Sequence, residues 1–195
     1  EFVSKPRKKP WSPFLAHKAV HPDAAQANDG TLQIDQAGGY RVAPRHDRLY
    51  EGRFFRRPPN MLPPTKIVKD KPAWKEAFAL RSTDRSRAVL DRLHAGEQEE
   101  IRLRARMMAS VDEGVGLLFE ALERTGQLDN TFIVFLGDNG YFFGEHGLGP
   151  ERRFAYEDGI RSPFLLRYPP KVRAGQPLMD LVICQDIAPT LLGLG

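Results

Sequence analysis

The fold of this chain is decided by the stretch Thr131-Phe132-Ile133-Val134-Phe135-Leu136-Gly137-Asp138-Asn139-Gly140. Its first six residues form a continuous apolar run, which is typical of a strand covered on both faces. In open α/β sheets, ligand sites lie beyond the carboxyl ends of such strands. Asp138 and Asn139 follow the run directly, and a carboxylate beside an amide oxygen suits a hard cation such as Ca²⁺ or Mg²⁺. An ordinary turn is the alternative interpretation of Asp-Asn-Gly.

Helix and strand patterns surround this stretch and indicate an α/β domain. Residues 97–125 place apolar side chains at steps of three and four, which predicts one amphipathic helix, with Gly126 as its C-cap. Gly114 and Gly116 inside that helix predict close packing against a neighbour. Another helix is predicted over residues 73–94. Further predicted elements are strands at 14–20, 164–168 and 181–184 and a helix at 187–194. This alternation predicts a mostly parallel sheet flanked by helices.

The composition is that of an ordinary globular protein. The chain has 195 residues, of which 41% are hydrophobic and 28% charged. No run approaches the roughly 20 apolar residues that a membrane span requires. The 29 Lys and Arg residues exceed the 25 Asp and Glu residues, and the excess lies mainly in residues 1–73. A basic surface attracts anions such as sulfate esters or anionic polysaccharides, or is simply solvated.

Two further classes are disfavoured by composition and motifs. Nucleic-acid binding is not predicted, because no recognition motif accompanies the basic charge. The only cysteine, Cys184, excludes an internal disulfide and a multi-cysteine metal site. Because Cys184 stands in an apolar run, it is predicted to be a small buried hydrophobic residue.

Several motifs of the chain, taken together and in order, resemble the sulfatase family of the alkaline phosphatase superfamily. The resemblance runs from residue 12 to residue 194 and is closest over residues 128–148, which contain Gly137-Asp138-Asn139-Gly140 and Gly144-Glu145-His146-Gly147. The other similar segments are His17-Lys18-Ala19-Val20-His21-Pro22, Pro44-Arg45-His46, Ser110-Val111-Asp112, residues 156–163 and residues 186–192. The resemblance implies an α/β fold of the alkaline phosphatase/sulfatase type, present here only in part.

The resemblance also implies a sulfate-ester site that contains a Ca²⁺ ion. Asp138 and Asn139 match the Asp-Asn pair that binds this ion in sulfatases. His21 matches the histidine that contacts the sulfate group. The family's sulfate-binding lysine is replaced by Arg152 when positions are counted back from the Tyr-Glu pair, and by Glu151 when they are counted forward from Asp138. We favour Arg152, because a guanidinium group binds a pair of sulfate oxygens whereas a carboxylate repels them.

Lys18 and His146 are weaker candidates for substrate contact. Lys18 lies in or near the predicted strand before His21, where a core or surface position is the alternative. His146 belongs to a Gly-Glu-His-Gly loop that lies beside the site in the family, where structural support is the alternative.

The family's nucleophile motif is absent from this sequence. Sulfatases attack with a formylglycine made from Cys or Ser in a C-x-P-x-R or S-x-P-x-R stretch, and the chain contains neither. Residues 1–195 are therefore expected to be a partial catalytic domain that lacks the N-terminal nucleophile-bearing part and a C-terminal subdomain. These residues alone are predicted to be inactive.

The expected activity of the whole protein is metal-dependent hydrolysis of a sulfate ester, either a small molecule or a glycan. The expected partners are that ester and the remainder of the same polypeptide domain, without nucleic acid or a membrane span. Two alternatives are a phosphodiesterase or phosphonate hydrolase of the same superfamily, and a non-catalytic relative that binds sulfated glycans.

Overall fold

The computed structural model describes residues 2–5, 7–28, 32–34, 39–56, 59–60, 84–146 and 154–194. Arg152, its alternative Glu151, and residues 73–83 of the first predicted helix lie outside the described residues.

One long helix, α1, organises the described part of the chain. It runs over Asp84–Arg124, so the two helices predicted over 73–94 and 97–125 join into a single element where they are described. Its buried side carries Met107, Val111 and Leu122. Val111 and Leu122 confirm the predicted amphipathic stripe, whereas Met108, which the same spacing predicted to belong to it, is 39% exposed and its neighbour Met107 is buried instead. Among the described residues, no helix is long and apolar enough to cross a lipid bilayer.

The end of α1 follows the predicted pattern. Gly126 has a φ of 67°, the left-handed conformation that glycine adopts without a steric penalty. Its N–H donates to Glu123 O at 2.9 Å, and the next N–H, from Gln127, donates to Leu122 O at 2.8 Å. These bonds satisfy carbonyl groups that the last turn would otherwise leave unpaired.

Within the described part of the chain, no element packs closely against Gly114 or Gly116, contrary to the prediction. A methyl group in place of the hydrogen of Gly114 or Gly116 would meet no described atom within 4 Å. Glycine at these two positions lowers the helix propensity of α1.

The strand predicted at 131–136 is confirmed as β3, Ile133–Leu136, and the one at 164–168 as β4, Phe164–Arg167. They pair antiparallel, with Ile133 opposite Arg167 and Leu136 opposite Phe164. Parallel pairing is therefore not what the described strands show. A parallel return requires a crossover of a dozen or more residues, usually a helix. The described part of the connection contains only α2, Glu157–Ile160, which is a single turn.

A second antiparallel pair lies near the N-terminus. It joins β1, Ala24–Gln26, to β2, Leu32–Ile34, which the sequence did not predict. The strand predicted at 14–20 was wrong, because these residues are irregular and the Phe14 side chain is 93% exposed. The segment ends in a turn in which His21 N–H donates to Lys18 O at 3.0 Å, and no described strand pairs with residues 14–17.

The C-terminal segment differs from its prediction at one element. Residues 181–184 form no strand; a short 3₁₀ helix, Cys184–Asp186, leads instead into α3, Ile187–Leu194, which was predicted. The Asp186 carboxylate accepts the Ile183 N–H at 2.9 Å, which is a hydrogen bond that favours a turn. Cys184 is free and exposed, so its predicted burial was wrong.

Two more 3₁₀ helices, Pro44–His46 and Leu128–Asn130, flank α1. The first is fixed to α1 by a polar cluster. Buried His46 lies 3.1 Å from Ser110 Oγ through Nδ1 and 2.7 Å from Glu113 Oε1 through Nε2. Arg45 donates to Glu113 Oε2 from Nε at 2.9 Å. Hydrogen bonds from Arg45 and then His46 hold the pKa of Glu113 below its ordinary value of 4.5, at about 2.

This cluster predicts an acid-dependent contribution to stability. A carboxylate with a depressed folded-state pKa stabilises the protein above its unfolded pKa, and this contribution is lost as pH falls through the folded value. We expect Glu113→Gln to lower the melting temperature above about pH 5, with the difference from wild type shrinking between pH 4.5 and pH 2. Thermal unfolding across this range measures it. The matched control is Glu120→Gln, at an exposed position of the same helix; a pH-independent Glu113→Gln difference would contradict the prediction.

Candidate active site

The loop of residues 137–140 begins where β3 ends. Asp138 is exposed, and Asn139 is half-buried. The Asn139 amide donates from Nδ2 to Gly140 O at 2.6 Å. Since the amide nitrogen is used within the loop, the Asn139 side-chain oxygen is the atom that would bind a cation, beside the Asp138 carboxylate.

The segment around α2 holds this loop in place. Gly137 N–H donates to Pro163 O and Gly140 N–H donates to Gly159 O, both at 2.9 Å. A Cβ at Gly140 would overlap Asp158 O and would lie 2.6 Å from Arg161 O. The absence of a side chain at Gly140 is therefore required for the loop to approach the α2 segment. Two separate sequence motifs, residues 137–140 and 156–163, thus form one packed unit.

The chemistry of this loop fits part of a hard-cation site. Asp138 and Asn139 supply a carboxylate and an amide oxygen, whereas Ca²⁺ takes about six to eight oxygen ligands. In the described part of the chain, no group of three or more His, Cys, Asp or Glu side chains is placed to hold a metal. The described residues therefore fit as two of the ligands of such an ion.

His21, the predicted sulfate contact, lies in an exposed turn just before β1. Its Nδ1 is 2.7 Å from Pro22 O, so this nitrogen donates to the carbonyl. In the imidazolium form, Nε2–H is then the donor that an anion would meet. Lys18 is also exposed and belongs to the same turn.

His146, which follows the loop of residues 137–140 in sequence, is fixed by contacts with Asp158, Tyr156 and Asn60. Its Nε2 lies 3.2 Å from Asp158 Oδ2, and its ring stacks on Tyr156 with a centroid distance of 4.5 Å. Its backbone N–H donates to Asn60 O at 3.0 Å. These contacts favour the structural interpretation of His146, as a residue that supports the segment packed against residues 137–140.

The residues between the loop and His146 are anchored by burial. The Phe142 side chain is fully buried and meets the rings of Phe154 and Tyr156 edge-on. Buried Glu145 accepts the Phe143 N–H at 2.5 Å. The Glu145 carboxylate therefore stabilises the backbone of the segment to which it belongs.

Sequence reasoning missed Arg104, which contacts residues adjacent to His21 and to the loop of residues 137–140. It is 8% exposed. Its Nη1 donates to Val20 O, adjacent to His21, at 3.4 Å, and its Nη2 donates to Tyr141 OH, next to Gly140, at 2.6 Å. The signal that could have identified it is a charged residue on the apolar face of α1, seven positions before Val111.

Tyr40 and Glu100 complete the surroundings of Arg104. Arg104 Nη2 donates to Tyr40 OH at 3.0 Å, and Tyr40 OH donates to Glu100 Oε1 at 2.7 Å. Arg104 Nε also donates to Glu100 Oε1, at 3.0 Å. Burial, and then the hydrogen bond to Glu100, raise the pKa of Tyr40 well above its ordinary value of 10. The Tyr40 hydroxyl therefore keeps its proton and remains a donor.

Comparison with known proteins places these observations in one family. The family profile described as Sulfatase matches residues 1–195. An N-acetylglucosamine-6-O-sulfatase of Bacteroides thetaiotaomicron is 36% identical over 131 residues, which are 64% of this chain and 22% of that protein. An arylsulfatase of Volvox carteri is 38% identical over 131 residues, 65% of this chain and 19% of the relative. The chain therefore spans about a fifth of the length of these curated relatives.

A solved structure supports the same assignment. It is described as a protein in complex with its substrate D-glucosamine-2-N,6-O-disulfate, and it superposes with a TM-score of 0.50 at 26% identity. The match covers 70% of this chain and 37% of the solved one. With the family match, it establishes an alkaline phosphatase/sulfatase-like fold.

Proposed function

The chain belongs to the sulfatase family, and we propose that the protein hydrolyses sulfate esters with residues 137–140 and His21 at its site. The main support is that Arg104 donates hydrogen bonds both to Val20 O, just before His21, and to Tyr141 OH, just after Gly140. The two segments that the family uses for sulfate and metal are therefore joined through one guanidinium group.

Each described residue has a distinct proposed task. Asp138 and Asn139 would hold Ca²⁺, which when bound would neutralise charge on the sulfate oxygens. His21 would donate from Nε2–H to a sulfate oxygen while its Nδ1 is fixed by Pro22 O. Arg152, which lies outside the described residues, is proposed as the second cationic contact in place of the family's lysine. Lys18 remains a candidate contact on the His21 turn.

The rest of the catalytic domain is part of the same proposal. The chain has no C-x-P-x-R or S-x-P-x-R stretch, so we propose that a further part of the same domain supplies the nucleophile and the remaining metal ligands. We also propose that the mostly parallel sheet predicted from sequence belongs to that larger domain, with the β3–β4 pair as an antiparallel portion; mixed sheets of this kind are common.

A sulfated sugar is the proposed substrate class. The support is the superposed structure, which contains D-glucosamine-2-N,6-O-disulfate as the substrate of that protein, together with the excess of basic over acidic residues in the chain. Anionic sugars are attracted by such a surface.

The proposal is tested by assaying the whole protein with 4-nitrophenyl sulfate and glucosamine-6-sulfate in the presence of Ca²⁺. We expect turnover of both, and slower turnover by about tenfold to a hundredfold in His21→Ala and in Arg152→Ala, because a charge-assisted contact contributes about 1.5–3 kcal/mol. Arg152→Lys should be mild. Hydrolysis of 4-nitrophenyl phosphate diesters in place of sulfate esters would refute the proposal, as would binding without turnover.

A further inference from the structure

We propose that Arg104 is the positioning residue of the sulfate site, fixing the His21 turn relative to the loop of residues 137–140. The inference rests on the proposed function and adds to it a residue that contacts neither the metal nor the ester.

The geometry shows three separate segments meeting at the Arg104 guanidinium. Nη1 binds Val20 O at 3.4 Å, while Nη2 binds Tyr40 OH at 3.0 Å and Tyr141 OH at 2.6 Å. The guanidinium carbon also lies over the Tyr141 ring, 4.0 Å from its centroid, an arrangement that is favourable for a desolvated cation. One buried side chain therefore binds both the carbonyl before His21 and the hydroxyl of Tyr141, the residue after the loop of residues 137–140.

A second link ties Tyr40 to the His21 turn. Asp23 N–H donates to Gly39 O at 2.6 Å, next to Tyr40 in sequence. Gly39 has a φ of 78°, and a Cβ there would lie 2.6 Å from Asp23 O. The hydrogen bond from Arg104 to Tyr40 therefore supports the turn from its other side as well.

The charge of Arg104 is not available to a substrate. Glu100, one turn earlier on α1, pairs with Nη2 at 3.0 Å and accepts from Nε at 3.0 Å. Nη1 also donates to the Val20 carbonyl, and Nη2 donates to two tyrosine hydroxyls. The guanidinium is buried, its charge is balanced by Glu100, and each of its nitrogens donates a hydrogen bond within the protein. Arg104 therefore affects the ester indirectly, by positioning the segments that it contacts.

Arginine, unlike lysine, has the donor geometry that the contacts at position 104 require. Its planar group presents five donors in several fixed directions, whereas lysine offers a single nitrogen on a flexible stem. Lysine would keep the ion pair with Glu100 and lose the simultaneous contact with Val20 O and Tyr141 OH. The positioning role therefore predicts incomplete rescue by lysine.

Arg104→Met and Arg104→Lys are tested in the whole protein against Arg106→Met. Arg106 lies on the same helix with a similarly covered side chain, 12% exposed against 9%, and its Nε binds Leu49 O at 2.8 Å. We expect Arg104→Met to lower kcat for 4-nitrophenyl sulfate at least tenfold and to weaken Ca²⁺ binding at least fivefold. Arg104→Lys should recover part of kcat, and Arg106→Met should change neither quantity more than twofold.

Hydrogen exchange separates failure of this inference from failure of the proposed function. Arg104→Met should speed exchange of amides in residues 20–23 and 138–142 together, and Arg106→Met only around residues 48–53. If the wild type hydrolyses no sulfate ester but the exchange pattern appears, the function is wrong and the positioning role stands. Equal kcat per folded molecule in Arg104→Met, or unchanged exchange in either segment, overturns the inference.

Discussion

We expect the replacement of Asp138 by alanine in the whole protein to lower kcat/KM for a sulfate ester by about a thousandfold and to remove most of its Ca²⁺ affinity. A metal ion contributes several kcal/mol of charge stabilisation in such sites, and each 1.4 kcal/mol or so corresponds to a factor of ten in rate. Asn139 alone would leave the ion without its carboxylate from this loop. Steady-state kinetics and calorimetric titration with Ca²⁺ measure the two effects.

Asp129→Ala is the matched control for this substitution. Asp129 lies in the 3₁₀ helix that precedes β3, where its carboxylate is 2.6 Å from Arg167 Nη2 and its side chain is 83% exposed. The same chemical change at this end of β3 should alter kcat/KM less than threefold. Undiminished Ca²⁺ binding in Asp138→Ala would show that the metal lies elsewhere.

The second large effect concerns the backbone of the loop of residues 137–140. Gly140→Ala introduces a methyl group that overlaps Asp158 O and lies 2.6 Å from Arg161 O. These atoms belong to the backbone around α2 and cannot turn away as a flexible side chain would. We expect the free energy of unfolding to fall by about 3 kcal/mol, the upper end of the usual cost of overpacking, and Ca²⁺ binding to weaken because Asn139 moves with its neighbour. Urea denaturation measures the first effect.

Gly114→Ala is the same chemical change as Gly140→Ala but is expected to have the opposite effect on stability. No described atom lies within 4 Å of the position that its methyl group would take, and alanine has the higher helix propensity. This variant should gain about 0.5–1 kcal/mol of stability. If Gly140→Ala were as stable as Gly114→Ala, the close approach of residues 137–140 to the α2 segment would be wrong.

Local sequence patterns predicted an element correctly where the element's own residues are enough to specify it. The spacing of apolar residues predicted α1, because a helix buries one stripe whatever it packs against. The apolar runs at β3 and β4 predicted strands, and the motifs at residues 137–140 and 156–163 indicated the sulfatase family before any contact was known.

The predictions that were wrong concern strands, whose formation depends on a second strand to pair with. Phe14 and Leu181 lie in apolar runs that read as strands, yet their side chains are 93% and 96% exposed. A strand exists only where another strand pairs with it, and a short apolar run does not contain that information. The direction of pairing between β3 and β4 was missed for the same reason, since it depends on how the chain returns between them.

Motif order identified the family and the candidate residues Asp138, Asn139 and His21, and local periodicity predicted the long helix, because both are properties of the sequence alone. The need for glycine at position 140 but not at position 114 is visible only in the folded chain, since the two glycines differ in what surrounds them and not in their identity. Arg104 was likewise decided by the fold. Its significance comes from contacts to residues 84 positions before and 37 positions after it, and such separations leave no periodic trace in a sequence.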